Sequence, residues 1–514
     1  MFPAKVHRRI YLVLLTLLGG CMVTSIWASN LMWVLLLANW VLEGRWAEKW
    51  QMARQSRLLH AVVALFVLNV VGLLWTANLA QGLSAIQLLL PWLFVPLVVL
   101  TTRPPVGRVR DTILFLYAGT VVVVSFIGLV RWLTIPDLPY RDLVPYVSHI
   151  RFSLNCCMVL FLSASALHRV GGRAVAAKRI GLALLMVWMV AFLLLQRSYT
   201  AFAVLTAASL AAILWRRRHW LWLAAWLAVV GGAVAYVAVQ YHDYHHLRPM
   251  STQPLPTHTP SGNPYVHHCD GLVENGNYVY NYLCHDELAQ HWPSRSSVPL
   301  DGCTPTGFKV ETTLVRYLNA LGLPKDSTGV ASLTDEQVAE VVDGVANPVY
   351  VHGSLPKHML YVLFFELENY RCYRAVTGFS MLQRLELWQA ALHVVADHPW
   401  LGVGTGDLAD AMEADFRRTS SPLQGSGFQP HSVFLALAAQ FGLPLFVLLM
   451  AVWLRAAPRL RRQGSLIAAW AVMVLVSCIA ENTLGTLTGI LFATWFMAFR
   501  QPDANPQSKG DGLG

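Results

Sequence analysis

The residue types that could carry out chemistry in this sequence are arginines and a histidine beside long apolar segments. Arg151 lies in SHIRFSL and Arg197 in LLLQRSYTAF, each at the end of an apolar run. His431 begins another run, in QPHSVFLAL, and Arg384 precedes it in the chain. An arginine near hydrocarbon costs up to about 3 kcal/mol on insertion scales, so it usually has a partner. The alternative is that Arg151 and Arg197 only orient their helices by snorkelling.

These residue types suit a phosphorylated lipid. Guanidinium groups bind pyrophosphate oxygens through forked hydrogen bonds and stabilise the charge on a departing pyrophosphate. The sequence therefore predicts that Arg151, Arg197 and Arg384 bind such a group. If a sugar is attached to it, His431 could accept the proton of a hydroxyl group that attacks the anomeric carbon, with inversion. His431 and Arg384 are the predicted catalytic residues, and neither a metal nor another cofactor is required.

The stretch LQRLELWQAALHVVADHPWLGVGTGDLADAMEADFRR begins at Leu382 and reads as a helix that ends at Pro399. Arg384 and Trp388 are four residues apart, so they are neighbours on that helix. Four apolar residues are expected on one helical face: Leu385, Trp388, Leu392 and Val395.

A turn with three glycines follows this helix, and its backbone could approach a partner closely. The supporting residues predicted from it are Gly402, Gly404, Gly406 and Asp407, with Trp388 before it and Glu481 farther along the chain. Asp407 is expected to cap the next helix. No strand precedes the glycines, which makes a dinucleotide site improbable and leaves a tight helix-turn-helix as the structural alternative. Glu481 and Asn482 could orient a ligand or form polar caps.

Composition identifies the class of protein that must position these residues. The chain of 514 residues is 55% hydrophobic and 13% charged, with positive mean hydropathy, outside the usual range of soluble domains. Its apolar runs are about long enough to cross a bilayer as helices. We predict an all-α polytopic membrane protein with about twelve spans: residues 10–28, 30–43, 58–76, 82–101, 112–131, 152–168, 179–196, 199–215, 219–241, 431–454, 465–480 and 485–499.

The distribution of charge predicts the orientation. Residues 242–430 contain 11 of the 38 Lys and Arg residues and 20 of the 28 Asp and Glu residues, a net charge of −9. The remainder carries +19, mostly in short connections, where topology explains it better than nucleic-acid binding. Alternate connections hold 23 basic residues, against four in the short connections of the opposite set. Both termini, including the tail 501–514, are therefore expected in the cytoplasm, and residues 242–430 on the opposite side of the membrane.

We thus expect nine spans in residues 1–241 and three further spans in residues 431–500. Residues 242–430 are expected to form a large, mainly helical external domain between them. Residues 242–305 are expected to be largely irregular. An oxidising compartment would allow two disulfides in the domain, in three alternative pairings, among Cys269, Cys284, Cys303 and Cys372.

The chain resembles the O-antigen ligase and O-antigen polymerase superfamily, specifically large-loop members of Bacteroidetes-type bacteria. The stretches ENGNYVYNYLCHDEL and QRLELWQAALHVVADHPWLGVGTGD carry the likeness, together with the hydropathy plan over nearly the whole length. Its most specific residues are Arg384, Trp388, Pro399, Gly402, Gly404, Gly406 and His431. The resemblance implies a GT-C-like architecture in the inner membrane of a bacterium, with residues 242–430 in the periplasm.

By this resemblance, Arg151 and Arg197 correspond to the intramembrane arginines of the family, Arg384 to its loop arginine and His431 to its loop histidine. The family often has His-Asn where this chain has His431-Ser432, which puts a contribution of the amide in doubt. Ligases of this kind move a glycan from undecaprenyl pyrophosphate to a lipid A-core sugar without metal or nucleotide. The expected partners are that donor, a lipid A-core or other hydroxyl acceptor, and membrane lipids, with no nucleic acid.

Three outcomes share this donor chemistry: a ligase, a polymerase that extends another lipid-linked unit, and a protein O-oligosaccharyltransferase. The large loop before the last three spans favours the ligase. A lipid-linked glycan flippase or transporter is the alternative from another class. It predicts an internal repeat and charges near mid-membrane, whereas the chain is asymmetric and its notable charges lie at one face.

Overall fold

A computed structural model describes residues 3–136, 138–167, 169, 171, 175–214, 220–376, 380–461 and 463–500. The expected tail 501–514, and Arg173, Arg216, Arg217, Arg218, Arg462 and Lys509 from the charge count, lie outside these residues. The chain divides into two compact units. Unit 1 comprises Met1–Trp226 and Arg384–Gly514, and unit 2 comprises Leu227–Gln383. Residues 384–430, which the sequence groups with the hydrophilic domain, thus cluster with the membrane helices.

Helices account for nearly all regular structure in unit 1. They are α1 Ala4–Cys21, α2 Ile26–Glu43, α3 Trp46–Gln55, α4 Arg57–Val71, α5 Leu79–Leu100, α6 Gly107–Thr134, α7 His149–Leu167, α8 Val175–Leu195 and α9 Tyr199–Leu214. The helix α10 Trp220–His245 continues into unit 2. The helix α18 Ser380–Asp397 begins in unit 2 and continues into unit 1. It is followed by α19 Leu408–Arg418, α20 Val433–Arg461, α21 Ser465–Ala480 and α22 Leu487–Trp495. Short 3₁₀ turns follow α4, α21 and α22.

The all-α polytopic fold class is confirmed. Within the described ranges, eight helices are long and apolar enough to cross a membrane, namely α2, α4 with its 3₁₀ turn, α5, α6, α7, α8, α10 and α20. Three shorter apolar helices correspond to α9, α21 and α22. The first predicted span, 10–28, is displaced: α1 ends at Cys21, and Ser25 caps α2 by accepting a hydrogen bond from the Ala28 amide.

The core of unit 1 is built around α7. In the most apolar 18-residue stretch of α7, 61% of the residues are buried, whereas the corresponding stretch of α8 has 17% buried. Fully buried residues such as Phe152 and Met158 on α7 pack in one cluster with Val204 on α9 and Trp495 on α22. A helix enclosed in this way fixes the side chains at its first turn, where Arg151 lies.

The helix α20 is interrupted at Gly442, and the turn of residues 402–406, here called the glycine turn, forms hydrogen bonds with the carbonyl groups next to the interruption. Gly442 has φ 70° and ψ 168°, outside helical geometry. The carbonyl groups before the break therefore need other donors, since unsatisfied backbone groups are costly at membrane depth. The amide of Val403 donates to the carbonyl of Ala439 at 3.0 Å, and the amide of Gly404 to that of Gln440 at 2.8 Å.

The close approach of this turn requires glycine. Gly402 has φ 65° and Gly404 has φ 93°, a region that L side chains rarely adopt. A Cβ on Gly402 would lie 2.3 Å from the carbonyl carbon of Gln440, and one on Gly406 would lie 2.2 Å from the carbonyl oxygen of Asn78. The turn thus packs closely against α20 on one side and against the connection from α4 to α5 on the other.

The expected side-chain cap by Asp407 is wrong. Asp407 precedes α19 but makes no capping hydrogen bond to it. Its carboxylate instead accepts hydrogen bonds from the backbone amides of Ala77 at 2.7 Å and Asn78 at 2.6 Å. The carboxylate of Asp407 therefore forms tertiary hydrogen bonds in place of a local helix cap, and these bonds connect the glycine turn to the residues just before α5.

Unit 2 is mainly helical with one small hairpin. After α10 come α11 Pro249–Thr252, β1 Val273–Glu274, β2 Asn277–Tyr278, α12 His285–His291, α13 Val310–Leu321, α14 Ser327–Ala331, α15 Asp335–Val342, α16 Val349–His352 and α17 Leu355–Tyr373. Strands β1 and β2 pair in antiparallel register through Asn275 and Gly276, which both have positive φ. Residues 242–305 are therefore more regular than expected, and the Asn-Gly pair is a hairpin signal visible in the sequence.

The core of unit 2 surrounds α13 and includes Trp292, Leu314 and Tyr317. Arg316 and the fully buried Glu274 form a two-pronged ion pair, with nitrogen-to-oxygen distances of 2.9 and 3.0 Å. All eight cysteines are free thiols, so none of the disulfides that the sequence allows is formed in this structure.

The glycine turn gives a stability prediction. We expect Gly402→Ala to destabilise the protein by more than about 3 kcal/mol, because backbone strain and overpacking add. The matched control is Gly425→Ala, where φ is 72° but nothing lies within 4 Å of the added carbon. It should cost only about 1–2 kcal/mol. Thermal unfolding of the purified chain, followed by size-exclusion chromatography, measures both. Equal losses would contradict the close-packed turn.

Candidate functional site

The candidate site is built on Glu481, in the turn between α21 and α22. Its amide donates to the carbonyl of Ser477 at the end of α21 at 2.8 Å, and its backbone then becomes extended. Only 1% of the residue is exposed. A carboxylate this deeply buried must be paired to remain ionised. Three side chains from distant parts of the sequence provide that pairing.

Arg151 is the first of these partners. It lies in the first turn of α7, and its guanidinium Nη1 is 3.3 Å from Oε2 of Glu481. Its Nη2 donates to the carbonyl of Asn482 at 2.9 Å, and its Nε to the hydroxyl of Thr486 at 3.4 Å. All three nitrogens of the guanidinium group are therefore bound within the protein.

Arg384 is the second partner. Unlike Arg151, it has a guanidinium N–H group without an acceptor among the described residues. Its Nη2 donates to Oε1 of Glu481. Its Nε is buried and has no hydrogen-bond partner among the described residues. A buried guanidinium N–H without a partner costs free energy that a ligand oxygen would recover. Arg384 is thus anchored by one nitrogen and retains donor capacity.

The helix α18 presents Arg384 and Trp388 on one side, as the spacing predicts. The indole Nε1 of Trp388 donates to the carbonyl of His431 at 3.2 Å. The predicted apolar face is not the packed one: Leu385 and Leu392 are exposed. The residues that α18 buries are Leu382, Leu387, Ala390, Ala391 and Val394.

His431 is the third partner of Glu481. Its Nδ1 is 3.1 Å from Oε2 of the carboxylate. An ionised carboxylate can only accept, so Nδ1 carries the proton in this contact and Nε2 of the neutral ring keeps its lone pair. About 38% of the side chain is exposed, so the ring remains accessible. Ser432, which stands where the family often has Asn, accepts a hydrogen bond from the Leu435 amide and caps α20.

The charges of this cluster keep Glu481 ionised. Burial opposes ionisation, but the hydrogen bond from His431 and the charges of Arg384 and Arg151 outweigh it and lower the pKa of Glu481 to about 2. Two guanidinium groups face one carboxylate, so the cluster carries a net positive charge when His431 is neutral. Such a site favours an anion.

Arg197 lies outside this hydrogen-bonded cluster. It follows α8 with φ 49°, and its guanidinium carbon is 5.8 Å from the centre of the Tyr140 ring. That ring also meets the His149 ring edge-on, at a centroid distance of 6.1 Å. His149 begins α7, two residues before Arg151. Two of the three predicted arginines thus converge on one carboxylate, and the third contacts an aromatic ring near the start of the same helix.

Sequence reasoning placed Glu481 at the rim and missed its central position. The available signal is that Glu481 is an isolated acidic residue between two apolar runs. Tyr140, His149 and Thr486 were not singled out. Gly402, Gly404, Gly406 and Asp407 contact α20 and the connection between α4 and α5, as described above. Among the described residues, no group of three or more His, Cys, Asp or Glu side chains is arranged to hold a metal ion.

A double-mutant cycle tests the coupling in this cluster. We expect Arg384→Gln and Glu481→Gln each to destabilise the protein, and the double variant to lose less than their sum. The interaction free energy should be roughly 1–3 kcal/mol, because each single change leaves a buried charge short of a partner. The control cycle uses Glu413→Gln and Arg417→Gln, an ion pair on α19 whose arginine is exposed. That pair should give below about 0.5 kcal/mol. Similar values in both cycles would contradict the cluster.

The lowered pKa of Glu481 predicts how the free energy of unfolding depends on pH. Its value is about 2 in the folded chain, below its ordinary 4.5, so the unfolded chain binds more protons on acidification. The stabilisation from Glu481 is therefore complete above about pH 4.5 and is lost as the pH falls toward 2. We expect the stability difference between wild type and Glu481→Gln not to decrease between pH 8 and 5, and to shrink below pH 4.5. A decrease between pH 8 and 5 would oppose this assignment.

Comparison with known proteins gives one family. No curated protein matches the chain. Residues 339–450 match the family model of the O-antigen ligases. The matched stretch includes Arg384, the glycine turn and His431, whereas Arg151 and Glu481 lie outside it. The match confirms the resemblance to the O-antigen ligase superfamily on which the sequence expectation rested.

Proposed function

We propose that this protein is a metal-independent, inverting glycosyltransferase that moves a glycan from undecaprenyl pyrophosphate to a lipid A-core sugar. The observation that carries the proposal is the cluster in which Glu481 binds His431, Arg384 and Arg151 at once. A proton acceptor and two guanidinium groups are thereby held side by side. The family match supports an activity of the O-antigen ligase or polymerase type; the donor, the acceptor and the roles of individual residues are our proposal.

His431 is the general base in this proposal. Glu481 holds the imidazole in the tautomer that leaves Nε2 free, and it stabilises the imidazolium that forms when Nε2 takes a proton. Trp388 fixes the backbone of His431 through its indole hydrogen bond. The accessible edge of the ring can therefore meet a hydroxyl group without a change in the backbone.

Arg384 is the principal ligand of the donor pyrophosphate. Its buried Nε has no partner among the described residues, so an oxygen of the donor would complete its hydrogen bonding. Arg151 adds positive charge and holds Glu481, and Arg197 provides further positive charge beside Tyr140. Charge-assisted bonds from guanidinium groups are strongest toward the extra negative charge that develops on the leaving group.

The proposed step is a direct displacement. The acceptor hydroxyl oxygen forms a bond to the anomeric carbon while the bond from that carbon to the pyrophosphate oxygen breaks. The electron pair of the broken bond leaves with undecaprenyl pyrophosphate, and the hydroxyl proton passes to Nε2 of His431. A single displacement inverts the anomeric configuration.

The membrane setting supports this substrate class. The apolar helices and the match to the O-antigen ligase family support a multi-pass membrane protein. We propose the inner membrane as its location, with residues 242–430 in the periplasm, on the basis of the charge asymmetry between connections. A donor anchored by a polyprenyl chain would meet the cluster at the ends of the membrane helices.

Reconstitution in nanodiscs tests the proposal. The wild-type chain should transfer glycan from an undecaprenyl pyrophosphate donor to lipid A-core in the presence of a chelator. His431→Ala and Arg384→Ala should each lower the rate by at least about 100-fold. The exposed residues His398 and Arg417 serve as controls, and their alanine variants should retain wild-type rates. Chain extension or labelling of protein instead would identify a polymerase or a protein oligosaccharyltransferase. Near-normal transfer by His431→Ala would remove it as the base.

A variant of Arg197 separates the contribution of its positive charge from that of its planar guanidinium group. Arg197→Lys keeps the positive charge but loses the planar fork and its contact with Tyr140, so we expect a rate loss of at least about tenfold. Wild-type transfer in this variant would show that Arg197 serves only to orient its helices.

A further inference from the structure

A cavity of about 330 Å³ lies beside the cluster and has a different chemical character. It is lined by the end of α4, the start of α5, the glycine turn, the start of α20 and the turn that precedes α22. Among the described residues, its lining contains no Asp, Glu, Lys, Arg or His. The polar lining is formed by amide and hydroxyl side chains, and the rest by aliphatic ones such as Leu88 and Leu437.

Several of these amides are available to a ligand. The side chains of Gln81, Gln429 and Asn482 make no hydrogen bond to any described residue. A hydrocarbon chain filling the cavity would leave these amides without partners, at a cost in free energy. An uncharged molecule with many hydroxyl groups would satisfy them. The volume lies near the lower limit of typical ligand sites, which suits one sugar residue and little more.

The cavity lies beside the cluster, but no ionisable side chain of the cluster lines it. Gln429 and Val433 flank His431 by two residues on either side, and Asn482 follows Glu481. None of Arg151, Arg197 and Arg384 lines the cavity. The lining therefore offers a pyrophosphate no cation, and the segments that carry His431 and Glu481 continue into the cavity wall.

We propose that this cavity binds the accepting sugar of the acceptor, as an uncharged residue, and that Gln81, Gln429 and Asn482 hydrogen-bond to its hydroxyl groups. This inference rests on the proposed function and specifies its acceptor side. Because the lining carries no cation, an acceptor sugar with a phosphate or carboxylate on the accepting residue is selected against. Negative charges elsewhere on the acceptor are unaffected.

The test compares the Michaelis constants for the two substrates. Gln81→Leu and Gln429→Leu keep approximate volume and remove the amide, and both residues are at least partly exposed, so the fold should tolerate them. With the full chain in nanodiscs, a lipid A-core acceptor and an undecaprenyl pyrophosphate glycan, each variant should raise KM for the acceptor by about tenfold. KM for the donor should stay within about twofold. The control is Gln389→Leu, an exposed glutamine on α18 outside the cavity, which should change neither constant.

The possible failures are distinct. If wild type transfers glycan but both variants keep the wild-type KM for the acceptor, the subsite is wrong while the proposed function stands. A lower KM for the acceptor in the leucine variants would assign the cavity to hydrocarbon, and a raised KM for the donor would assign it to the donor; either result overturns the inference. If wild type transfers glycan to none of the three acceptor classes, the proposed function itself fails.

Discussion

The ion-paired carboxylate of Glu481 is the interaction on which the site depends. It is almost fully buried and is shared by two arginines and a histidine from α7, α18 and the approach to α20. Removing water from a charge is costly, and the cost is offset only when partners are well placed. Four segments of the chain are thereby fixed relative to one another. The same contacts set the tautomer of His431 and the position of Arg384, so stability and chemistry share one cause.

The broken helix α20 makes this arrangement feasible. A continuous helix would satisfy its own backbone and offer no docking point, whereas the break at Gly442 exposes carbonyl groups that the glycine turn pairs. The turn brings the end of α18 against α20 and the connection between α4 and α5. Arg384 and His431, 47 positions apart in the sequence, then meet the same carboxylate. The glycines act through packing, and the proposed function assigns anion binding to the arginines.

The sequence predicted the elements of this fold better than their contacts. Apolar runs revealed a helix near every expected span, because hydropathy and length are local properties. The end of α1 at Cys21 was missed, since an apolar run continues through the turn. Asp407 and Leu385 show the same limit: each pattern fits a local role, and tertiary contact decided otherwise. The convergence of Arg151 with residues more than 200 positions away could be guessed only from their shared membrane face.

The sequence indicated which residue types belong to the site better than it indicated the position of each residue within it. Arg151, Arg384 and His431 stood out because charges beside hydrocarbon are rare. Glu481 was less conspicuous, because a lone acidic residue in a short connection reads equally well as a cap. Its burial and three partners are properties of the folded chain. The free amides beside His431 were likewise invisible, since glutamine and asparagine in apolar surroundings have no distinctive spacing.

The state of the His431 ring tests the central claim most directly. With the protein in nanodiscs and its histidines labelled with ¹⁵N, the signals of His431 can be assigned by their loss in His431→Gln. If Glu481 holds the ring as described, the neutral form at pH 8 carries its proton on Nδ1, and Nε2 resonates as an unprotonated nitrogen. In Glu481→Gln this preference should weaken. A wild-type ring protonated on Nε2 would contradict the account, because no lone pair would then face the acceptor.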